Sequence, residues 1–301
     1  MSDVTNYLGR PSLSYLSHSQ VETMTDCGEK YRLTRIVGVP EAPAFWNAGG
    51  RAVHAAAEYW ERERFLRETP GMGDTVDVFR NTFETEIVQA ESDWLGDRVA
   101  DPAHPPVPWR VAARGKEDDA WWREHGAEMT RAYIMQSEDD QTELAATPDG
   151  QPAVEVEFMV DIAGIPFKGF IDQVRRLPGK QWLIVRDLKA GARMPTSTVQ
   201  LGEYGYGLRS LWGEYADYPN MRGEYFHCRT AKTSARIHLP SAHPPADVEY
   251  TVATAWFIKN AGLFLPRPSA FCKACAVRDF CVYQDGSRAS EVPNPSPPRI
   301  G

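Results

Sequence analysis

From residue 153 the chain alternates apolar and polar side chains, as AVEVEFMVDIAGIPFKGFIDQVRRL. A period of two, rich in Val, Ile and Phe, predicts strands. Gly164 and Pro166 mark a turn that splits the run in two. QWLIVRDLKAG predicts another strand, ending at Gly191, and MRGEYFHCRT and ARIHL predict further strands. Upstream the period is helical. A helix capped by Ser17 or Ser19 carries Val21, Met24 and Cys27 or Gly28 near helical spacing. After Pro40 and Pro43, the Ala-rich GRAVHAAAEYWERERFLRE predicts a helix from Gly50 to about Glu68. TVQLGEYGYGLRSLWGEY predicts a helix weakened by Gly202, Gly205 and Gly207, and EYTVATAWFIKNAGLFL predicts another.

These elements divide the chain. Residues 1–71 form a helical N-terminal part carrying Cys27 and His54. Residues 72–150 form an acidic helical insert interrupted by the Pro-rich DPAHPPVPWR. Residues 151–265 hold the core sheet and helix, 266–284 a cysteine segment, and 285–301 a Ser- and Pro-rich disordered tail. No run approaches the ~20 apolar residues of a membrane span. The N-terminus lacks the basic and apolar regions of a secretory signal, so a cytoplasmic protein without membrane partners is expected. Of the 301 residues, 42% are hydrophobic and 25% charged, as in an ordinary globular protein. Net charge is −8, yet Lys168 to Arg236 holds 12 Lys and Arg against 6 Asp and Glu. A locally basic stretch can serve a polyanion even in an acidic protein.

The chemistry-bearing residues cluster around the strands. Asp187 and Lys189 lie two apart, so both point to one face of a strand. With Asp172, in GFID, they suit phosphodiester hydrolysis: the aspartates hold a hard divalent cation, and the lysine orients a water or offsets developing charge. His54 lies early in its helix. Gln200 and Tyr204, four apart, share a helix face, and Glu157 precedes Asp172 by one hairpin. Cys272, Cys275 and Cys281 form C-x2-C-x5-C, with Cys27 at the other end of the chain. Four thiolates suit tetrahedral Zn²⁺ or a [4Fe–4S] cluster, and spacing does not separate the two. The C-x3-C-x2-C run of radical iron–sulfur enzymes is absent. Cys228 reads as a buried apolar residue.

Cys27, G-x-x-x-H ending at His54, GFID ending at Asp172, D-L-K at 187–189, Q-x-x-x-Y at 200–204 and C-x2-C-x5-C follow one another over residues 27–281. In this order they resemble the RecB-like branch of the PD-(D/E)XK nucleases, in particular the iron–sulfur exonucleases that include the fourth CRISPR-associated protein family and phage relatives. The resemblance implies an α/β fold: a restriction-endonuclease-like central mixed sheet flanked by helices, with a helical insert and a C-terminal metal-cluster segment. It implies that His54, Asp172, Asp187 and the Leu188 carbonyl hold Mn²⁺ or Mg²⁺ and that Lys189 is catalytic. Gln200 and Tyr204 would orient the lysine or the DNA, and Glu157 would assist. Cys27, Cys272, Cys275 and Cys281 would hold a [4Fe–4S] cluster in preference to Zn²⁺. The implied substrate is DNA, single-stranded or with free ends and degraded 5′→3′, with a helicase, recombination or CRISPR partner, in a bacterial or phage-encoded setting. Tyr204, Tyr206 and Trp212 are candidates to stack bases, although core packing is the better expectation for each.

Overall fold

The computed structural model describes residues 14–96 and 106–293. The alternating run folds into β2 (Val154–Ile162) and β3 (Ile165–Arg176), an antiparallel hairpin. Its two-residue turn is Ala163–Gly164, both with left-handed backbone (φ 54° and 80°), the twist that matches flanking strands. β1 (Glu143–Leu144) and β4 (Leu183–Lys189) pair with β3. β5 (Arg222–His227) runs parallel to β4, while β6 (Lys232–Thr233) and β7 (Ile237–His238) pair antiparallel with β5. The result is a seven-stranded mixed sheet. A parallel pair needs a crossover, and α6 (Val199–Trp212) supplies it. The glycines of α6 let it approach the sheet: a Cβ on Gly207 would sit 2.5 Å from the Phe158 ring.

Helices cover both faces. On one, α1 (His18–Asp26), α6, α7 (Leu239–Ala242) and α8 (Pro245–Asn260) close over Phe158, Phe167, Ile171, Val185 and Leu208. On the other lie α3 (Phe45–Phe65), α4 (Met72–Leu95) and α5 (Asp119–Asp139), burying Phe79, Phe83, Trp122, Tyr133, Leu188 and Phe226. The short α2 (Gly28–Tyr31) follows α1 directly. α3 starts five residues before the expected Gly50, because Phe45 and Ala48 are buried and extend its apolar face back to Pro43. The acidic segment 72–150 supplies two helices to this layer, so it is built into the core around α3. Among the described residues no helix is long and apolar enough to cross a membrane.

Two expectations need correction. The tail was expected to be disordered from 285, but Ala289–Glu291 form a 3₁₀ turn, Val292 is buried, and Pro293 O accepts from Arg32 Nη1 at 3.0 Å. Residues 294–301 lie outside the described residues, as do residues 101–105 of the Pro-rich connection. The basic excess of 168–236 is largely consumed by fold-building ion pairs. Arg175 meets Glu61 at 3.1 Å, Arg186 meets Asp140 at 2.6 Å and also Glu224, Arg236 meets Glu224 at 2.6 Å, and Arg229 meets Glu117 at 2.8 Å. Arg175, Arg186 and Glu224 are almost fully buried, where a charge needs a partner. Charge summed along the chain therefore does not describe the surface.

Candidate active site

β4 ends at Lys189, and its last residues join a network of polar contacts. Asp187 is buried and Lys189 sits at the rim. Lys189 Nζ lies 2.7 Å from Asp187 Oδ2 and donates to Gln200 Oε1 at 2.7 Å. Gln200 Nε2 donates to Asp187 Oδ1 at 2.8 Å and to Tyr204 OH at 3.0 Å. The amide orientation follows, since only its carbonyl oxygen can face an ammonium. Lys189 also lies over the Tyr225 ring at 5.5 Å, and Tyr225 OH donates to Ser197 O.

Asp172 crosses from β3. Its Oδ2 accepts the Leu188 N–H at 2.6 Å and lies 3.5 Å from His54 Nδ1 on α3. One donor atom each from His54, Asp172 and Glu155 come within 4.8 Å of one another. Glu155 was not among the residues singled out in the sequence. Val154 pairs with Gln173 and Val156 with Ile171, which places Glu155 opposite Asp172. Its φ is +46° inside a strand. A non-glycine residue held there costs about 1–3 kcal/mol, and such strain gathers at functional sites. Glu157, two residues on, is exposed and paired with Lys168 at 2.6 Å, and it is not part of this group.

The electrostatics are those of a site short of positive charge. Burial raises Glu155 to about 7, helped by Asp172, whereas His54 opposes the shift. Burial and Asp172 raise Asp187 to about 6 against the pull of Lys189. Burial opposes charge on His54, but Asp172, Asp187 and Glu155 outweigh it and raise the imidazole to about 9. Three carboxylates beside one imidazole and one ammonium suit a divalent cation, which relieves their repulsion. The donor set therefore fits a metal ion. Burial also drives the Tyr204 hydroxyl far above its ordinary range. Of the candidates to stack bases, Tyr204 and Trp212 are buried in the core, and Tyr206 packs against the same core and donates to Glu249.

The cysteines lie where the end of α1 meets the segment from Leu265 onward. Cys27 ends α1, and its Sγ accepts the Arg267 N–H at 3.4 Å; Cys272 Sγ accepts the Ser269 N–H at 3.3 Å. Cys275 and Cys281 pack against a small apolar cluster of Leu33, Val39, Ala276, Val277, Phe280 and Val292. Gly28 N–H donates to Leu265 O at 2.9 Å, an approach that a side chain would block, since a Cβ there would lie 2.5 Å from Leu265 N. Backbone donors at two of the four sulfurs, Cys27 and Cys272, fit thiolate ligands. Cys228 is fully buried, and burial pushes its thiol up to about 12.

A mixed sheet presenting Asp172, Asp187 and Lys189 on its adjacent inner strands β3 and β4, with a helix bringing a histidine, has the architecture and D…D-x-K order of a metal-dependent nuclease. The chain belongs to the PD-(D/E)XK nuclease superfamily, whose sequence profile matches residues 15–282. It is similar to the Gene 69 protein of Mycobacterium phage D29, with 30% identity over 210 residues covering 70% of this chain and 73% of that protein. It is also similar to the Gene 69 protein of Mycobacterium phage L5, at 27% over 229 residues, covering 70% and 74%. A solved structure from Eubacterium rectale, provisionally named an exonuclease, aligns over 95% of this chain and 91% of its own at 13% identity, with a TM-score of 0.37.

Proposed function

We propose that this protein is a metal-dependent DNA exonuclease of the RecB-like branch. It acts 5′→3′ on single-stranded or free-ended DNA and is built around a structural [4Fe–4S] cluster. The convergence of His54, Glu155 and Asp172 beside the Asp187–Lys189–Gln200 contacts carries this reading. His54, Asp172, Asp187 and the Leu188 carbonyl would hold Mn²⁺ or Mg²⁺, with Glu155 taking the place expected of Glu157. A divalent cation held there supplies Lewis-acid polarisation of the phosphate and activation of a water. Lys189, fixed between Asp187 and Gln200, offsets charge developing at phosphorus. Tyr204 anchors Gln200 and so keeps the lysine aimed.

For the cysteines, four thiolates suit either tetrahedral Zn²⁺ or a cuboidal iron–sulfur cluster, and the resemblance to the iron–sulfur exonucleases favours the cluster. The setting in recombination, repair or CRISPR-type processing, and a helicase partner, belong to the same proposal.

The test is digestion of end-labelled single-stranded and duplex DNA. With an imidazole in the ligand set, Mn²⁺ is expected to support cleavage at least as well as Mg²⁺ at equal concentration. Asp187→Ala is expected to be inactive; cleavage that survives it would overturn this site, whereas a wild type that binds DNA without cleaving it would leave a DNA-binding adaptor that keeps the nuclease fold. Glu155→Gln is expected to weaken Mn²⁺-supported cleavage at least ~10-fold. Glu157→Gln, which breaks only an exposed pair, should stay within about twofold. The reverse order would assign the assisting carboxylate to Glu157.

A further inference from the structure

A cavity of about 600 Å³ opens against α3, between the 34–44 connection and α4, within the ~300–1,000 Å³ range of small-ligand sites. Asn47 and Arg51 line it. His54 follows them on the same helix face, at helical spacing. With 1.5 Å of rise per residue, Arg51 and Asn47 lie about 5 and 10 Å along the axis from His54. The cavity therefore adjoins the proposed cleavage site at a reach of roughly one to three nucleotides.

Its walls hold three arginines, Arg35, Arg51 and Arg110. Three carboxylates, Glu41, Glu86 and Asp93, line it too: Glu86 pairs with Arg51 at 2.5 Å, and Asp93 accepts only from the neutral Gln89 amide at 2.9 Å. Arg110 donates to the carbonyls of Ala42 and Ala274 and lies over the Trp46 ring at 4.9 Å, with Glu41 as its nearby carboxylate. Arg35, half-buried, lines the cavity and makes no hydrogen bond or ion pair among the described residues, so its guanidinium is left to take an anionic acceptor.

We infer that this cavity binds the terminal phosphate of a single-stranded DNA end and sets the length of the released product. This rests on the nuclease reading above. A phosphomonoester carries about −1.5 to −2 charges at pH 7, against one for an internal phosphodiester. A cavity with an unpaired arginine therefore favours the end over the middle of a strand. The guanidinium fork matches two phosphate oxygens at once, and products of one to three nucleotides follow from the spacing.

Binding is read on the full chain in EDTA, without cleavage, by anisotropy of internally labelled oligonucleotides. One carries a 5′-phosphate, one a 3′-phosphate and one only hydroxyl ends; inorganic phosphate serves as competitor. One phosphorylated end is expected to bind about tenfold tighter than the hydroxyl-ended strand. Inorganic phosphate should compete away that increment, and Arg35→Gln should erase it. Arg51→Gln, at an exposed position, is the second variant if the first misfolds. With Mn²⁺ restored, the wild type should release products of one to three nucleotides and the variants longer ones. Equal binding of all three strands, or an increment that survives in both variants, overturns the inference. Because end preference is measured without cleavage, its failure is separable from a failure of Asp187→Ala to abolish activity.

Discussion

Lys189→Ala is expected to lower metal-supported DNA cleavage about 10³-fold, the scale of losing one preorganised charge-stabilising donor. The melting temperature should change little. Lys189 is at the rim, so water can replace it as donor to Gln200 Oε1, and the buried Asp187, already raised to about 6 and still hydrogen-bonded to Gln200, takes up a proton instead of standing as an unpaired charge. The lysine is held from two sides: Asp187 positions the ammonium by charge, and Gln200, itself tied to Tyr204, positions it by hydrogen bond. Such a group does not reorganise as charge develops at phosphorus, which is why its removal acts on rate far more than on binding. Lys189→Arg should not restore activity, because a planar guanidinium cannot occupy the place of a compact ammonium between those two partners. Initial rates on labelled single-stranded DNA, beside circular-dichroism melts, decide the matter. A Lys189→Ala enzyme within tenfold of wild type would remove the lysine from the chemistry.

The strands were legible because their signal is local. The period of two, the Gly164 turn and the D-x-K end of β4 are set by neighbours in sequence. Glu155 was legible in principle as well. Counting back from the two-residue turn at Ala163–Gly164 puts it opposite Asp172, whereas the one-hairpin argument stopped at Glu157. Its positive φ leaves no mark in composition, since glutamate is an unusual residue for left-handed backbone. The basic stretch misled for the opposite reason. Arg175, Arg186, Arg229 and Arg236 meet Glu61, Asp140, Glu117 and Glu224, most of them far away in sequence, so tertiary pairing decides which charges remain. The start of α3 and the ordered residues before Pro293 likewise depend on what they pack against.

Cys275→Ala is expected to yield an unstable or insoluble protein. The proposed cluster joins Cys27 to the 272–281 segment, closing a loop of about 245 residues. By the cross-link entropy relation that closure is worth on the order of 5 kcal/mol, against a typical domain total of about 5–15 kcal/mol. Without it the junction keeps only a few contacts. Gly28 N–H bonds Leu265 O at 2.9 Å, Ala42 N–H bonds Ala276 O at 2.8 Å, Arg32 reaches Pro293 O, and one small apolar cluster is buried. Backbone hydrogen bonds add about 1 kcal/mol each, too little to replace the closure. The damage should spread to the site: α1 carries Cys27, and His18 at its start holds the buried Glu203 of α6 at 2.6 Å, on the helix that presents Gln200. Soluble yield, melting temperature and metal content of the purified protein measure this. Wild type is expected to be brown with about four iron atoms per chain, whereas colourless protein with one zinc would move the clasp to the tetrahedral alternative. A Cys275→Ala protein that folds normally and loses only a redox response would show that the centre is not a clasp.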